Sequence, residues 1–245
     1  MNAIILAGGQ ATRMGDLAKT IPKCLVEVAD KPILWWQLDA LAKAEVWGAF
    51  VTCRDAQEGM LNEYLDFYHR MSDFPVTTEV VPEKEPLGTG GAIWTTFKEY
   101  DELTQPLLVL NGDIIPGPWL RELAEHKDDG ALAVLGVQLR ENTGPFGVVD
   151  VHFDGRIGGF REPSEEAKRV IEGAGGYINT GVYWMHPGIF DEIDFSATIP
   201  CSLERDIFPL LAERGLLRAL NCIGPWYAVD TPTDVMRVSQ ELAAP

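Results

Sequence analysis

Two cationic side chains follow turns near the start of this chain of 245 residues, and their spacing suits the binding of an anion. Gly8 and Gly9 end the first apolar run and let the backbone approach a ligand, and the planar fork of Arg13 can grip phosphate oxygens. Pro22 stiffens the backbone before Lys23, and a preorganised ammonium suits a phosphate on which charge shifts during substitution. The alternative reading is a plain βα turn with exposed basic side chains.

Carboxylates follow other apolar runs. Asn111-Gly112-Asp113 comes directly after a buried strand, and hard oxygen ligands at a strand end fit Mg²⁺ held together with substrate phosphates. A simple Gly-Asp turn is the alternative. Asp230 is a second candidate ligand, although Thr231 and the following proline also form a good helix start, where Asp230 would only complement the helix dipole.

A third motif, PLGTGGA, lies at residues 86–92 and places Gly88 and Thr89 at a helix entrance. Small residues there let a flat base or a ribose contact the backbone. Close packing of a capped helix is the alternative explanation.

The apolar pattern of the sequence predicts the fold that positions these motifs. Runs rich in β-branched residues alternate with helical patterns, which predicts a mixed, mainly parallel central sheet with helices on both faces, a Rossmann-like α/β fold. Ligands of such sheets bind beyond the carboxyl ends of the strands. Strands are predicted at 2–7, 49–53, 76–81, 107–110, 131–138, 147–151, 156–161 and 176–184, and helices at 33–46, 56–71, 89–100, 203–214 and after 231.

The composition of the chain argues against several classes of partner and site. The formal charge of -17 argues against nucleic acid and anionic membranes as partners. Residues 1–31 nevertheless carry four basic against three acidic side chains, which indicates a confined anion site. No apolar run reaches the roughly 20 residues of a membrane span, and no signal peptide is visible, so we expect a cytoplasmic protein. The four scattered cysteines predict buried thiols rather than a zinc site or disulfides.

Taken together, the motifs resemble those of the sugar-1-phosphate nucleotidyltransferase family. LAGGQATRM with Pro22-Lys23 is similar to the family's opening pattern, and PLGTGGA, LNGD, FGVV, GYINTGVYW, SLERDIFP and WYAVDTPTD follow in family order over residues 3–234. Within the family the chain is most similar to D-glycero-D-manno-heptose 1-phosphate guanylyltransferases, and N-acetylmuramate 1-phosphate uridylyltransferases are close in pattern. The resemblance implies a single domain over 1–245, with a nucleotide-binding half at 1–112 and a sugar-phosphate-binding half at 113–245.

The resemblance also implies roles for individual residues. Arg13 would hold the β- and γ-phosphates of the nucleotide, Lys23 would stabilise charge at the α-phosphate, and Asp113 with Asp230 would bind Mg²⁺, with Arg13, Lys23 and Asp113 catalytic. The remaining nucleotide contacts would be Leu6, Ala7, Gly8, Gly9, Glu83, Gly88, Thr89 and Asn111. The sugar-phosphate contacts would be Gly147, Arg161, Glu162, Asn179 and Glu204.

Two positions depart from the family pattern. Ala11 replaces a glycine, so that residue must adopt an ordinary backbone conformation. The family usually shows F-x-E-K-P in its second half, whereas this chain has Pro163 directly after Glu162. The lysine that would grip the sugar's phosphate is therefore missing, and Arg161 or Lys168 is expected to substitute.

The identity of the nucleotide depends on Glu83, which lies where the family reads the base. A carboxylate can accept from both N1–H and N2–H₂ of guanine, whereas uracil offers only N3–H, and this favours GTP. Transfer of another nucleotide to a hexose or amino-sugar 1-phosphate, a molybdenum-cofactor guanylyltransferase using Lys19, a catalytically silent nucleotide-sugar sensor and a glycosyltransferase are the alternatives. The sequence leaves monomer and homodimer open.

Overall fold

The structure, a computed structural model, describes most of the chain. The described residues are 1–9, 13–15, 21–73, 75–101, 103–127, 130–141, 143, 146–161 and 175–243, with residues 161 and 197 described by their backbone only. They form two compact units. Unit 1 comprises Met1–Pro86, Val109–Ala124 and Gly224–Pro245, and unit 2 comprises Leu87–Leu108 and Glu125–Ile223.

Unit 1 contains a sheet in which β4 pairs in parallel with both β1 and β5, and the end of β6 lies on the other side of β1. Two small antiparallel pairs, β2 with β3 and β7 with β13, accompany it. The strands are β1 (Asn2–Leu6), β2 (Glu27–Val28), β3 (Lys31–Pro32), β4 (Gly48–Arg54), β5 (Thr77–Glu83), β6 (Leu107–Asn111), β7 (Ile114–Ile115) and β13 (Tyr227–Ala228). The helices are α1 (Ile33–Lys43), α2 (Glu58–Met71), α4 (Leu120–Ala124) and α7 (Pro232–Ala243), with short 3₁₀ turns at Lys23–Leu25 and Asp55–Gln57.

Unit 2 is built on an antiparallel arrangement in which β11 pairs with β8 and β9, β9 pairs with β10, and β12 joins β8 in parallel. Its strands are β8 (Ala133–Arg140), β9 (Val148–Val151), β10 (Ile157–Arg161), β11 (Gly176–Met185) and β12 (Leu217–Asn221). Its helices are α3 (Gly88–Glu99), α5 (Ile189–Glu192) and α6 (Phe208–Glu213), with a 3₁₀ turn at Phe195–Ala197 and a π-helix at Leu203–Ile207.

The predicted elements are present with shifted ends. The predicted helix 203–214 is divided into the π-helix and α6, because its first turn closes with wider hydrogen bonds before Pro209. The predicted start of the last helix is confirmed: the Thr231 hydroxyl accepts from the Asp234 amide at 3.2 Å, and the Thr231 amide donates to the Asp234 carboxylate at 2.9 Å. This reciprocal capping box begins α7 at Pro232.

The four cysteines are buried and unbridged, as predicted. Within the described part of the chain, no helix combines the length and the apolar character needed to cross a membrane.

Candidate active site

The two candidate metal carboxylates are brought together by the short β7–β13 pair. Ile114 pairs with Ala228, and one step beyond them the Val229 amide donates to the Asp113 carbonyl at 2.9 Å. Asp113 precedes β7 and Asp230 follows β13, so an antiparallel ladder places side chains 117 positions apart at the same end.

The Asn111–Asp113 turn is held from two sides. The Gly112 amide donates to the Leu6 carbonyl at 3.0 Å, and a Cβ on Gly112 would lie 2.5 Å from that oxygen, so only glycine fits against the end of β1. On the other side the fully buried Gln37 of α1 donates from Nε2 to the carbonyls of Asn111 at 2.8 Å and Ile114 at 2.9 Å. This clamp fixes the backbone from which the Asp113 carboxylate projects.

Lys23 lies between the two carboxylates. Its Nζ is 2.8 Å from Asp113 Oδ2 and 2.6 Å from Asp230 Oδ1, and its side chain is only 12% exposed. Pro22 precedes it in an extended conformation (φ -55°, ψ 141°), and Lys23 then begins a 3₁₀ turn. The backbone that Pro22 stiffens, as the sequence predicts, therefore leads to a Lys23 ammonium that is paired rather than exposed.

Arg13 contacts Asp230 from the opening loop, with its Nη2 3.3 Å from Asp230 Oδ1 and half of its side chain exposed. An apolar cluster anchors the backbone beneath these charges. Met14, Ile115 and Val229 are buried in it, each adjacent or close in sequence to a charged residue of the site. We call Arg13, Lys23, Asp113 and Asp230 the cation–carboxylate cluster.

Burial and mutual charge shift the pKa values of this cluster. Burial alone lowers the pKa of Lys23, but Asp113 and Asp230 together outweigh that effect and raise it above its usual value, so the side chain stays an ammonium at neutral pH. Loss of solvent raises the pKa of Asp113 more than the nearby Lys23 lowers it, and Asp230 raises it further. Because the Asp113 and Asp230 carboxylates lie close to each other, a cation beside both of them is favourable.

The donor set fits magnesium. One oxygen of each carboxylate approaches the same Nζ atom, so the two oxygens converge on a single cation position. Within the residues that the structure describes, no group of three or more His, Cys, Asp or Glu side chains could hold a metal. Two protein oxygens, with the other positions left to water and substrate phosphates, are the usual arrangement for Mg²⁺.

The other predicted nucleotide contacts of unit 1 lie at, or just beyond, the carboxyl ends of β1, β5 and β6. Leu6 is the last residue of β1, and the amide of the following Ala7 donates to the Thr52 carbonyl at 2.9 Å. A Cβ on Gly8 would meet Glu83 Oε1 at 3.0 Å, so the structure brings Gly8 and Glu83 together. Among the described residues, no atom lies within 4 Å of such a Cβ on Gly9. Asn111 is half-buried.

In unit 2 the glycines of PLGTGGA pack closely against another segment. A Cβ on Gly88 would collide with the Cys201 carbonyl, and the Gly90 amide donates to that carbonyl at 3.0 Å. Gly88 also has a φ of +75°, which favours glycine. The Thr89 hydroxyl accepts from the Leu203 amide at 2.8 Å and donates to Glu204 Oε2 at 3.1 Å. A packing role for these residues is therefore visible, and their predicted nucleotide contacts stay predictions.

Among the predicted sugar-phosphate contacts, Asn179 and Glu204 are joined through Tyr183. Asn179 Nδ2 donates to the Tyr183 hydroxyl at 2.9 Å, and that hydroxyl donates to Glu204 Oε1 at 3.1 Å. The Gly147 carbonyl accepts from the Asn179 amide at 2.9 Å, so Gly147 joins the same group.

Several predicted residues are described only in part. Arg161 ends β10 opposite Val148, and its side chain is not described. Glu162, Pro163 and Lys168, together with Ala11 and Lys19, lie outside the described residues. The substitution of Arg161 or Lys168 for the missing lysine therefore stays a prediction from the sequence.

Sequence reasoning missed three residues that hold predicted site residues in place, one in unit 1 and two in unit 2. Gln37 is a polar residue on the otherwise apolar buried face of α1, and this break in pattern is a signal that could have found it. Tyr183 and Ser202 lie within the recognised motifs, but nothing in their spacing shows that their hydroxyls meet Glu204.

The fold is α/β, and its cation–carboxylate cluster lies just beyond the ends of β6 and β13. Residues 2–244 match the sequence profile of the nucleotidyl transferase family, and the chain belongs to this family. It is 34% identical over 239 residues to a mannose-1-phosphate guanyltransferase of Yarrowia lipolytica, covering 96% of this chain and 62% of that protein. It is 32% identical over 238 residues to mannose-1-phosphate guanyltransferase beta-B of Xenopus laevis, covering 96% of this chain and 63% of that protein.

The chain thus spans less than two thirds of the length of these relatives. Among solved structures, HddC from Yersinia pseudotuberculosis superposes with a TM-score of 0.79 at 21% identity, covering 98% of this chain and 99% of that one. This likeness confirms the predicted mixed α/β fold with a mostly parallel central sheet and helices.

Proposed function

We propose that this protein transfers a guanylyl group from GTP to a sugar 1-phosphate, with release of pyrophosphate and dependence on Mg²⁺. The observation that carries the proposal is the convergence of Asp113 and Asp230 on the Lys23 ammonium, at 2.8 and 2.6 Å, with Arg13 at the same Asp230 oxygen. Two cations and a metal-binding carboxylate pair are what transfer between phosphates requires.

In the proposed chemistry, the protein positions the reacting phosphates and neutralises their charge. An oxygen of the sugar phosphate forms a bond to the α-phosphorus of the nucleotide while the bond to the bridging oxygen of pyrophosphate breaks in line. An ionised phosphate is already a nucleophile, so no general base is required. Lys23 neutralises charge at the α-phosphorus and Arg13 holds the outer phosphates, which orients the reacting atoms.

Asp113 and Asp230 would hold Mg²⁺ through one carboxylate oxygen each, and the metal would supply a Lewis acid that neutralises phosphate charge. For that to happen the Lys23 ammonium must leave its present position between them, since both oxygens now accept from it. A phosphate of the bound nucleotide is the natural new acceptor for Lys23.

The choice of GTP is supported by two arguments. Glu83, brought beside Gly8, can accept from both N1–H and N2–H₂ of guanine. The relatives above 30% identity are named guanyltransferases.

Those relatives act on mannose 1-phosphate by name, whereas the sequence motifs favour D-glycero-D-manno-heptose 1-phosphate. The two sugars share the manno configuration, so we propose a manno-configured sugar 1-phosphate as the acceptor.

We further propose that residues 1–112 supply the nucleotide contacts and residues 113–245 the sugar-phosphate contacts, with Arg161 or Lys168 binding the sugar's phosphate. An unchanged KM for the sugar phosphate in both alanine variants would reject these two residues.

A pyrophosphate-release screen tests the activity. GTP, UTP, CTP, dTTP and ATP are each combined, with Mg²⁺, with mannose, heptose, glucose and N-acetylglucosamine 1-phosphates. We expect release with GTP and a manno-configured acceptor. Asp113→Asn should abolish release while the circular dichroism spectrum stays unchanged. Asp39→Asn is the matched control, because Asp39 forms a surface ion pair with the exposed Lys43.

Wild-type-like release by Asp113→Asn would refute the assigned site. Equal use of GTP and UTP would remove the role given to Glu83. Silence over the whole panel, with nucleotide binding still visible by calorimetry, would favour a nucleotide-sugar sensor instead.

A further inference from the structure

Helix α2 carries a row of apolar side chains on its surface. Met60 is 38% exposed, Phe67 46% and Met71 60%, and Tyr64 is half-buried, with its ring centroid 6.3 Å from that of Phe67. The four residues follow one another at steps of four, three and four, which is the spacing of the apolar seam between two paired helices. We call Met60, Tyr64, Phe67 and Met71 the α2 stripe.

The α2 stripe is not the face that holds α2 onto unit 1. Leu61, Leu65 and Tyr68 form that face, and each of them is at most 4% exposed. A surface helix of a globular protein usually has one apolar face, with polar residues elsewhere. The stripe is a second apolar face, and an exposed apolar surface of this kind marks a site of interaction with another molecule.

A groove continues the α2 stripe at its Met71 end. The groove has a volume of about 310 Å³, and Trp35, Trp47 and Met71 line it together with charged residues. Half of the Trp47 side chain is exposed. Aromatic residues and methionine are enriched in the cores of protein–protein interfaces. The stripe and the groove therefore have the composition of an interface.

The α2 stripe is symmetric about its midpoint, because its steps of four, three and four are the same in both directions along the helix. Two copies of α2 packed antiparallel place Met60 of each copy opposite Met71 of the other. The same arrangement places Tyr64 of each copy opposite Phe67 of the other. The surface is therefore complementary to itself.

Two charged residues beside the stripe also suit an antiparallel pair. Glu63 and Arg70 are both exposed and lie seven positions apart, about two helical turns, so they project from the same side of α2. Antiparallel packing brings Glu63 of each copy beside Arg70 of the other, because the two ends of the helix are exchanged. A pair of helices then contains two contacts between opposite charges, related by a two-fold axis.

The charge of the molecule favours a second copy at this face over a charged partner. The net charge of -17 makes copies of the chain repel one another, so they can pack only where the charge is locally balanced. The charged residues that line the groove or flank the stripe are balanced, with three basic and three acidic side chains: Lys31, Lys43, Arg70, Asp39, Glu63 and Asp73. A basic partner would instead be attracted to the acidic remainder of the surface.

We propose that the α2 stripe and the adjoining groove are the interface of a homodimer, in which two α2 helices pack antiparallel about a two-fold axis. Met60 of each copy enters the groove beside Met71 of the other, and the assembly closes at two copies because the surface is self-complementary. One helix about 20 Å long gives a small interface, so the dimer dissociates in the micromolar range. No residue of the stripe belongs to the cation–carboxylate cluster, and the dimer does not depend on the proposed function.

Sedimentation velocity over a series of micromolar concentrations measures the assembly without reference to activity. We expect the mean mass to rise from that of one 27.1 kDa chain toward twice that value. Phe67→Asp places a charge in the middle of the stripe and should raise the Kd of the dimer at least about thirtyfold. Phe153→Asp is the matched control, because Phe153 is a fully exposed phenylalanine of unit 2, and its Kd should equal that of the wild type.

Charge reversal tests the antiparallel arrangement. Glu63→Arg and Arg70→Glu each bring like charges together across the interface and should raise the Kd about tenfold. The double variant restores opposite charges and should return to the wild-type Kd. Both side chains are exposed, so these variants also test the interface if Phe67→Asp does not fold.

Disulfide cross-linking tests which residues meet. Under mild oxidation the double variant Met60→Cys with Met71→Cys should form a covalent dimer, whereas each single variant should stay unlinked because each position faces the other one.

A wild-type protein that keeps the mass of one chain at every concentration would overturn the homodimer and leave the α2 stripe to a different partner. An unchanged Kd in Phe67→Asp would overturn this interface. Failure of the charge-reversed double variant to recover, or cross-linking by either single cysteine variant, would overturn the antiparallel arrangement.

Discussion

At the scale of single residues, the position of Lys23 links the protein's own charges to those of its proposed substrates. The Lys23 ammonium pairs with two carboxylates, at 2.8 and 2.6 Å. A second cation cannot share that position, because like charges at about 4 Å repel by about 4 kcal/mol at an effective dielectric constant of 20. Lys23 and a metal ion therefore compete until a phosphate offers Lys23 another partner.

Replacing Lys23 by methionine tests this competition. Lys23→Met should bind Mn²⁺ at least tenfold more tightly than the wild type in the absence of nucleotide, because two carboxylates lose their resident cation. The same variant should lose about a hundredfold or more in guanylyl transfer, as expected when a charge-stabilising donor is removed. Electron paramagnetic resonance measures the free Mn²⁺ directly.

Lys43→Met is the control for this variant, since Lys43 pairs with Asp39 on the surface and its side chain is 76% exposed. Weaker or unchanged Mn²⁺ binding by Lys23→Met would show that the two carboxylates do not form the metal site.

At the scale of elements, the turn after β6 depends on helix α1. Gln37 spans the carbonyls of Asn111 and Ile114 at 2.8 and 2.9 Å, and it is fully buried. Gln37→Leu would leave both carbonyls without this donor, at a cost of about 1–3 kcal/mol in the free energy of unfolding. We also expect kcat to fall at least tenfold, because Asp113 projects from the released turn.

Urea unfolding and kcat are measured together for this variant and for Gln57→Leu, whose side chain makes a longer contact of 3.4 Å with the Arg54 amide. If Gln37→Leu lost stability but kept its kcat, the clamp would be a structural feature alone.

The register of β11 shifts between Asn179 and Tyr183, and this irregular region is the second element with a functional consequence. Gly181→Ala places a Cβ at φ +74°, which costs about 1–2 kcal/mol, and the strain should move Asn179 away from Tyr183. We expect a loss of stability together with a higher KM for the sugar phosphate.

Gly155 provides a matched comparison, because its φ is +80° and the nearest atom to an added Cβ is 3.8 Å away. Gly155→Ala should lose similar stability and keep the wild-type KM. Parallel KM changes in both variants would mean that the backbone strain, rather than the Asn179–Tyr183 contact, determines sugar affinity.

At the scale of the whole molecule, the four cysteines allow the unfolding of each unit to be followed. Cys24 and Cys53 are buried in unit 1, and Cys201 and Cys222 in unit 2. Burial raises the pKa of Cys24 and of Cys53 to about 12, so the reactive thiolate is scarce at pH 8.

We expect the native protein to react with a disulfide reagent such as DTNB much more slowly than the unfolded protein, which should expose four thiols at once. Thiol labelling in increasing urea then follows the opening of each unit. Rapid labelling of any cysteine in the native protein would contradict the packing around it.

The sequence by itself determined the class of fold, the order of most elements and the residue types of the site. Apolar periodicity and turn chemistry are local, and short motifs such as LAGGQATRM and LNGD carry their chemistry in the order of a few residues. The α7 capping box was predictable for the same reason, since Thr231 and Asp234 are neighbours in the chain.

Only the tertiary structure decided which of these residues meet. Lys23 and Asp230 are 207 positions apart and Thr89 and Glu204 are 115 apart, so their pairing depends on strand register and loop closure that no local pattern encodes. The contact of Asn179 with Tyr183 depends on two extra residues in β11, and the clamp by Gln37 on the packing of α1 beneath a distant turn. Side chains converge because the backbone brings them together, and that long-range geometry is what the sequence pattern alone does not contain.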